Sequence, residues 1–278
     1  MTLKTRILSG IVIAVVMLAF AWLGGVYLLA LLAPVSVIGL YEFYHAVGLL
    51  TGGRKIDLVT GIGYVGTMVY YVLLYITEGS LFFMVFVCVV LLLVLLATYV
   101  FTFPKYNAKS IVCGFYGFFY VSVMLSFIYL TRALPDGIFI VWLIFMSSWF
   151  CDVFAYFTGM LIGKHRLAPV LSPKKSIEGA IGGIVFPAIC GGVYAYFIQP
   201  YVAVGFPIIP AFVVICAVGC AVSQIGDLSA SAVKRNFDIK DYGSLIPGHG
   251  GILDRFDSVI FTAPMIFFIA ELFTKATK

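Results

Sequence analysis

The residues able to do chemistry in this sequence crowd into one stretch near its end. Within residues 231–258 stand Lys234, Arg235, Asp238, Lys240, Asp241, His249, Asp254, Arg255 and Asp257, together with Pro247 and four glycines, and Asp227 lies just upstream. A hard cation such as Mg2+ takes oxygen ligands, usually one or two carboxylates plus substrate phosphates and waters. Lysine and arginine complement phosphate oxygens, arginine in bidentate fashion. Asp227, Asp254 and Asp257 are therefore candidate metal ligands, and Lys234, Arg235 and Arg255 candidate phosphate partners. Carboxylates, a basic loop and a glycine turn together suit phosphoryl or nucleotidyl transfer. The plainer alternative is a solvated charged loop with helix-capping aspartates. Two acids carried into an apolar segment weigh against it, because ionisable groups in a span are costly and usually functional. His249 has no zinc-ligand spacing around it, and by itself reads as structural.

Spacing says how these residues are presented. Asp227, Ser231 and Lys234 fall at i, i+4 and i+7, so one helix face carries all three, with Arg235 beside them. Residues 238–251 read as a loop, since Pro-Gly-His-Gly-Gly cannot continue a helix. Gly250 and Gly251 let backbone approach a ligand closely. Asp254 and Asp257, at i and i+3, open the following span.

A second group lies upstream. Asp152 sits inside the apolar run SSWFCDVFAYFTG and needs a partner there. A proton- or metal-linked role and a helix-to-helix hydrogen bond are both open to it. In the loop Ser172-Pro-Lys-Lys-Ser-Ile-Glu-Gly179, Ser172 suits an N-cap and Pro173 an early helical position. That places Lys174, Lys175 and Ser176 in a first helical turn, where cations oppose the helix dipole. A bound phosphate would resolve the conflict; ordinary membrane-flanking lysines are the alternative. The run from Gly159 to Lys164 is one residue short of a P-loop, lacks its Ser or Thr and follows a span rather than a strand. Gly159 and Gly163 are better read as helix-contact residues. Glu42 and His45, three apart, read as a buried structural pair. Gly61, Gly63 and Gly66 read as helix-packing positions.

The elements that position these groups are membrane helices. Of the 278 residues 63% are hydrophobic and 10% charged, with a mean hydropathy of +1.14. Soluble domains are far less apolar and more charged. The runs are continuous rather than alternating, which excludes a β-barrel and leaves helices as the default spanning structure. The pattern predicts an all-α, polytopic helical bundle of about nine spans, at 7–23, 26–50, 58–76, 81–103, 111–130, 137–162, 177–198, 205–225 and 252–273, with a tight first hairpin at Gly24-Gly25. The first run also has features of a cleavable signal peptide, but the apolar pattern resumes at once and a retained span fits the charges. With nine spans, fourteen Lys and Arg fall on the side of the N-terminus and three on the other. The positive-inside rule then places the N-terminus and both charged loops in the cytoplasm and the C-terminus outside. The two halves differ in charge content, which argues against an inverted-repeat transporter. All six cysteines lie in apolar runs without C-x-x-C spacing, so no disulfide and no zinc site is expected.

The 231–257 stretch resembles the phosphatidate cytidylyltransferases, the CDP-diacylglycerol synthases. It matches their signature at Ser231, Lys234, Arg235, Lys240, Asp241, Gly243, Pro247, His249, Gly250, Gly251, Asp254, Arg255 and Asp257. Upstream, Gly226-Asp227-Leu228, Ser172-Pro-Lys-Lys-Ser176 with Glu178-Gly179, and Asp152-x-x-x-Tyr156 are also similar to the family, which usually has Thr at the position of Ser176. Residues 145–260 carry the likeness; residues 1–130 match only as apolar spans. The resemblance implies transfer of CMP from CTP to phosphatidic acid, giving CDP-diacylglycerol and pyrophosphate. It implies Mg2+ held by Asp227, Asp254 and Asp257, and leaves room for a second cation such as K+. Lys174, Lys175 and Ser176 would hold nucleotide phosphates with Lys234, Arg235 and Arg255. Ser231, Lys240, His249, Gly250 and Gly251 would join the phosphate site, with Asp152, Tyr156, Glu178 and Asp241 in support. It further implies a homodimer in the inner (plasma) membrane with no nucleic-acid partner, residues 1–130 forming a scaffold and 131–278 the catalytic region. A polyprenol kinase using CTP and a cation-coupled transporter are the rival readings.

Overall fold

The structure, a computed structural model, describes residues 3–50, 56–203, 205–245 and 250–276. Among these, nine helices follow one another: α1 (Leu3–Leu23), α2 (Gly25–Ala46), α3 (Leu58–Ile76), α4 (Leu81–Phe101), α5 (Ala108–Ala133), α6 (Gly137–Ile162), α7 (Ile177–Ile198), α8 (Ile208–Asn236) and α9 (Leu253–Ala276). Eight are long and apolar enough to cross a membrane, and α1 contributes a shorter apolar stretch, Ser9–Leu23. The fold is the all-helical membrane bundle that the hydropathy predicts, with nine helices near the nine expected positions. The boundaries shift by a few residues. The second helix stops at Ala46, and the eighth runs on to Asn236, past its apolar part, as the Asp227–Lys234 face requires. Gly24 and Gly25 both take positive φ, 65° and 49°, and so close the first hairpin.

One expectation fails between α6 and α7. Residues 172–176 do not open a helix. They form β2 (Ser172–Ser176), paired antiparallel with β1 (Arg166–Ala168) in a short hairpin. The helix cap is Ser176 rather than Ser172: its hydroxyl accepts the Gly179 N–H at 3.1 Å. Pro173 lacks an N–H and sits on the edge of this two-stranded ribbon, where none is needed. The lysines therefore lie on an extended strand before the helix.

The chain forms two compact units, residues 1–126 with 237–255, and residues 127–236 with 256–278. In the first, buried hydroxyls tie apolar helices together. Ser36 meets Tyr71 at 2.7 Å, Thr67 meets Ser122 at 2.8 Å, and Tyr44 donates to the Gly114 carbonyl at 2.8 Å. Such bonds and small residues are what hold helices together in lipid. Gly63 and Gly66 serve that packing, since a Cβ there would strike Tyr44 and Leu91; at Gly61 a Cβ would make only an ordinary contact with Ile56, at 3.7 Å. Local caps set the helix starts, such as the reciprocal Asp57–Thr60 box of α3 and Asn107 at α5.

In the second unit α6 and α7 approach closely because α7 is glycine-rich. A Cβ at Gly182 would run into the Thr158 side chain, and one at Gly183 would lie 2.9 Å from both the Ala155 Cβ and the Cys151 carbonyl oxygen. Ser148 and Ser258 share a 2.6 Å hydrogen bond that fixes α6 against α9. Gly182→Leu is expected to overpack this seam and lower stability by about 1–3 kcal/mol, while Gly61→Ala, with room around it, does not lower it. Thermal unfolding of both variants in detergent checks the contrast.

Candidate active site

The second unit contains a cavity of about 310 Å³ whose polar lining is Asp152, Tyr156, Lys174, Lys175, Ser176 and Gln224. Three elements build it. The helix α6 supplies Asp152 and Tyr156, one turn apart and both exposed. A π-helical stretch, Met146–Phe150, ends one residue short of Asp152; such local widenings recur at functional sites. The hairpin supplies the lysines, and α8 supplies Gln224. Closeness between hairpin and α6 depends on Gly159 and Gly163, where a Cβ would lie 2.9 Å and 2.6 Å from the Ser176 hydroxyl. Gly159 also lies against Gly179 of α7, as a helix-contact residue would, whereas Gly163 stands just past α6 and meets Ser176 of the hairpin.

Charge is organised around Asp227. The Lys175 ammonium pairs with its carboxylate, tying hairpin to α8. Asp227, Lys234 and Asp152 all lie within electrostatic reach of Asp257. Asp152, Asp227 and Asp257, spread over more than 100 residues of sequence, thus form one acidic neighbourhood with Lys175 and Lys234 in it. Glu178 works differently. Its carboxylate accepts the Lys164 N–H at 3.0 Å and meets His165 Nδ1 at 2.6 Å, so it anchors the turn before β1.

In the first unit the signature loop folds around Asp254, whose Oδ2 accepts the N–H of Tyr242 at 2.8 Å and of Gly251 at 3.0 Å. Asp254 is buried, whereas Lys240, Asp241 and Arg255 are exposed. Gly250 takes a φ of 83°, and a Cβ there would lie 2.9 Å from Asp254 Oδ2. Gly251 was expected to admit a ligand; in the structure it makes room for the carboxylate of Glu42. The expected buried Glu42–His45 pair is not what forms. Glu42 is buried and bonds to the N–H groups of Ile252 and Leu253, while His45 is exposed and stacks on Tyr41. Pro247 and His249 lie outside the described residues. Ser231 and Arg235 sit on α8, Arg235 exposed.

Among the described residues no three His, Cys, Asp or Glu side chains group closely enough to cage a metal ion. An all-protein cage is not what Mg2+ requires, since one or two carboxylates suffice when phosphates and waters complete the shell. Asp227 and Asp257 are compatible with that. Sequence reasoning missed Gln224, whose amide donates to the Ala180 carbonyl at 2.9 Å. The signal was present, because Gln224 stands three residues before Asp227 on the Asp227–Ser231–Lys234 face.

An all-helical membrane bundle with a cavity that carries Asp152, Lys174, Lys175 and Ser176 on an otherwise largely apolar wall suits an amphipathic, anionic ligand. The chain belongs to the Cytidylyltransferase family, whose model it matches over residues 4–273. It is 30% identical to a phosphatidate cytidylyltransferase of Bacillus subtilis over 284 residues, 98% of this chain and 99% of that one. It is also 39% identical to the Staphylococcus haemolyticus phosphatidate cytidylyltransferase over 147 residues, 53% of this chain and 54% of that one.

The Lys175–Asp227 pair predicts a coupled response. Lys175→Met and Asp227→Asn should each destabilise the fold, and the double variant should lose less than their sum, by about 1 kcal/mol for a half-buried pair. Unfolding midpoints of the four proteins in one detergent measure the coupling.

Proposed function

We propose that this enzyme moves CMP from CTP to phosphatidate, yielding CDP-diacylglycerol and pyrophosphate, and so serves phospholipid synthesis. The observation that carries the proposal is the cavity in which Lys174, Lys175 and Ser176 face Asp152, in a chain matched nearly end to end by a relative of that activity. In this reading the hairpin lysines hold the triphosphate, helped by Lys234 and Arg235, with Arg255, Lys240, His249, Gly250 and Gly251 as further candidates on sequence grounds.

A phosphate oxygen of the lipid attacks the α-phosphorus in line. The new P–O bond forms as the bond to the β-phosphate breaks, and pyrophosphate leaves. The nucleophile is already an anion, so no general base is needed. Lysine and arginine offset the charge that grows on the leaving group. Asp227 and Asp257 would hold Mg2+, with Asp254 as the third candidate on sequence grounds; the ion would neutralise phosphate charge and orient the triphosphate. A K+ beside it, a homodimer, an inner-membrane location and a cytoplasmic N-terminus complete the proposal, the last supported by the fourteen-to-three distribution of Lys and Arg.

The test uses purified protein in detergent micelles with phosphatidic acid, Mg2+ and CTP labelled at the α-phosphate. Label is expected in the lipid phase, lost on chelation of Mg2+ and reduced at least about 100-fold in Asp257→Asn. Label reaching lipid only from the γ-position would mark a kinase, and none from either position would reject the reading. Lys174→Ala with Lys175→Ala should raise the KM for CTP roughly tenfold; an unchanged KM removes both from the nucleotide site.

A further inference from the structure

Glu42 lies on α2, about 200 residues before the signature, and the function above assigns it nothing. Its side chain is only 4% exposed. Both carboxylate oxygens are occupied: Oε1 accepts the Ile252 N–H at 3.0 Å and Oε2 the Leu253 N–H at 2.8 Å. These donors stand where α9 begins, at a helix end whose first N–H groups have no partner within the helix. Two glycines of the signature make way for this carboxylate. A Cβ at Gly243 would fall on Oε1 and 2.7 Å from Cδ, and one at Gly251 would fall on Oε2 and 2.5 Å from Cδ. A small residue at position 243 and the second glycine of His-Gly-Gly thus have a physical cause inside the protein.

We propose that Glu42 is a positioning residue: its carboxylate binds the start of α9 through Ile252 and Leu253 and packs beside Gly243 and Gly251, and thereby fixes the backbone that carries Asp254 and Arg255. The Asp254 carboxylate adds bonds from Tyr242 and Gly251, so described residues at both ends of the loop are tied to an acid. Only a carboxylate does this. A carboxamide offers one acceptor oxygen and would set its own N–H against a backbone N–H. The proposal rests on the reading that this loop serves CMP transfer, so wild-type transfer is established first; its absence would sink that reading and not the positioning role of Glu42.

The experiment compares wild type, Glu42→Gln, Glu42→Ala, Gly243→Ala and the Glu42→Ala/Gly243→Ala double variant as full-length protein in detergent. Three readouts are taken: thermal midpoint, kcat per folded molecule, and hydrogen exchange along the chain. The expected result is a kcat roughly tenfold lower or worse in Glu42→Gln, since small misplacements of reacting groups are costly. Exchange should quicken in the 243–256 segment while the other helices keep their protection. Gly243→Ala should match Glu42→Ala, and the double variant should be no worse than either, because both changes remove the same contact. A residue that only stabilises the fold would lower the midpoint yet leave kcat per folded molecule and the exchange pattern unchanged. Full kcat in Glu42→Gln, additive losses in the double variant, or failure of all three single variants to fold would each overturn the proposal.

Discussion

An ionised side chain in an apolar helix must find a partner, and the arrangement of this protein follows from that constraint. Burying a charge without compensation costs several kcal/mol. Here the compensation is local and mutual. The Lys175 ammonium sits on the Asp227 carboxylate, and Asp257 feels Lys234 as well as two acids. Three carboxylates in one neighbourhood repel one another, so the group favours further positive charge. That is the electrostatic requirement of a site that takes up a divalent cation together with a polyphosphate. The lysines alone would attract the nucleotide, and the acids alone would repel it. Under the proposed function, both together would make binding conditional on the cation.

Glycine has two roles in holding this chemistry. In the second unit it lets helices touch: Gly182 and Gly183 bring α7 onto α6, and Gly159 brings the hairpin's Ser176 against α6. In the first unit it gives space to internal carboxylates. Gly243 and Gly251 accommodate Glu42, and Gly250 adopts a backbone conformation that L side chains resist while facing Asp254. A glycine-rich loop beside charged residues suggests ligand approach, but the nearest groups to these glycines are the protein's own acids.

The spans were legible because each is a long apolar run, and the continuation of α8 was legible because Asp227, Ser231 and Lys234 recur at helical spacing. The family was legible from the thirteen signature positions. The hairpin was not. Ser172 followed by Pro173 has every local mark of a helix start, and the choice of Ser176 as cap is made by pairing with residues 166–168, which periodicity cannot show. Glu42 was misread for a similar reason. His45 was its only sequence neighbour of matching chemistry, whereas its actual partners lie 210 and 211 residues away. Gln224 was overlooked because an uncharged residue on an apolar helix attracts no notice, although it shares the face of Asp227.

The most direct measurement is equilibrium binding of CTP, without lipid, to the purified enzyme in detergent with and without Mg2+, repeated on Asp257→Asn. If the acidic neighbourhood makes nucleotide binding depend on a cation, wild type binds CTP at least about tenfold more tightly with Mg2+. In the variant, with one repelling acid neutralised, that difference narrows. Equal affinity with and without Mg2+ in wild type, or a Mg2+ dependence untouched by the substitution, would contradict the account.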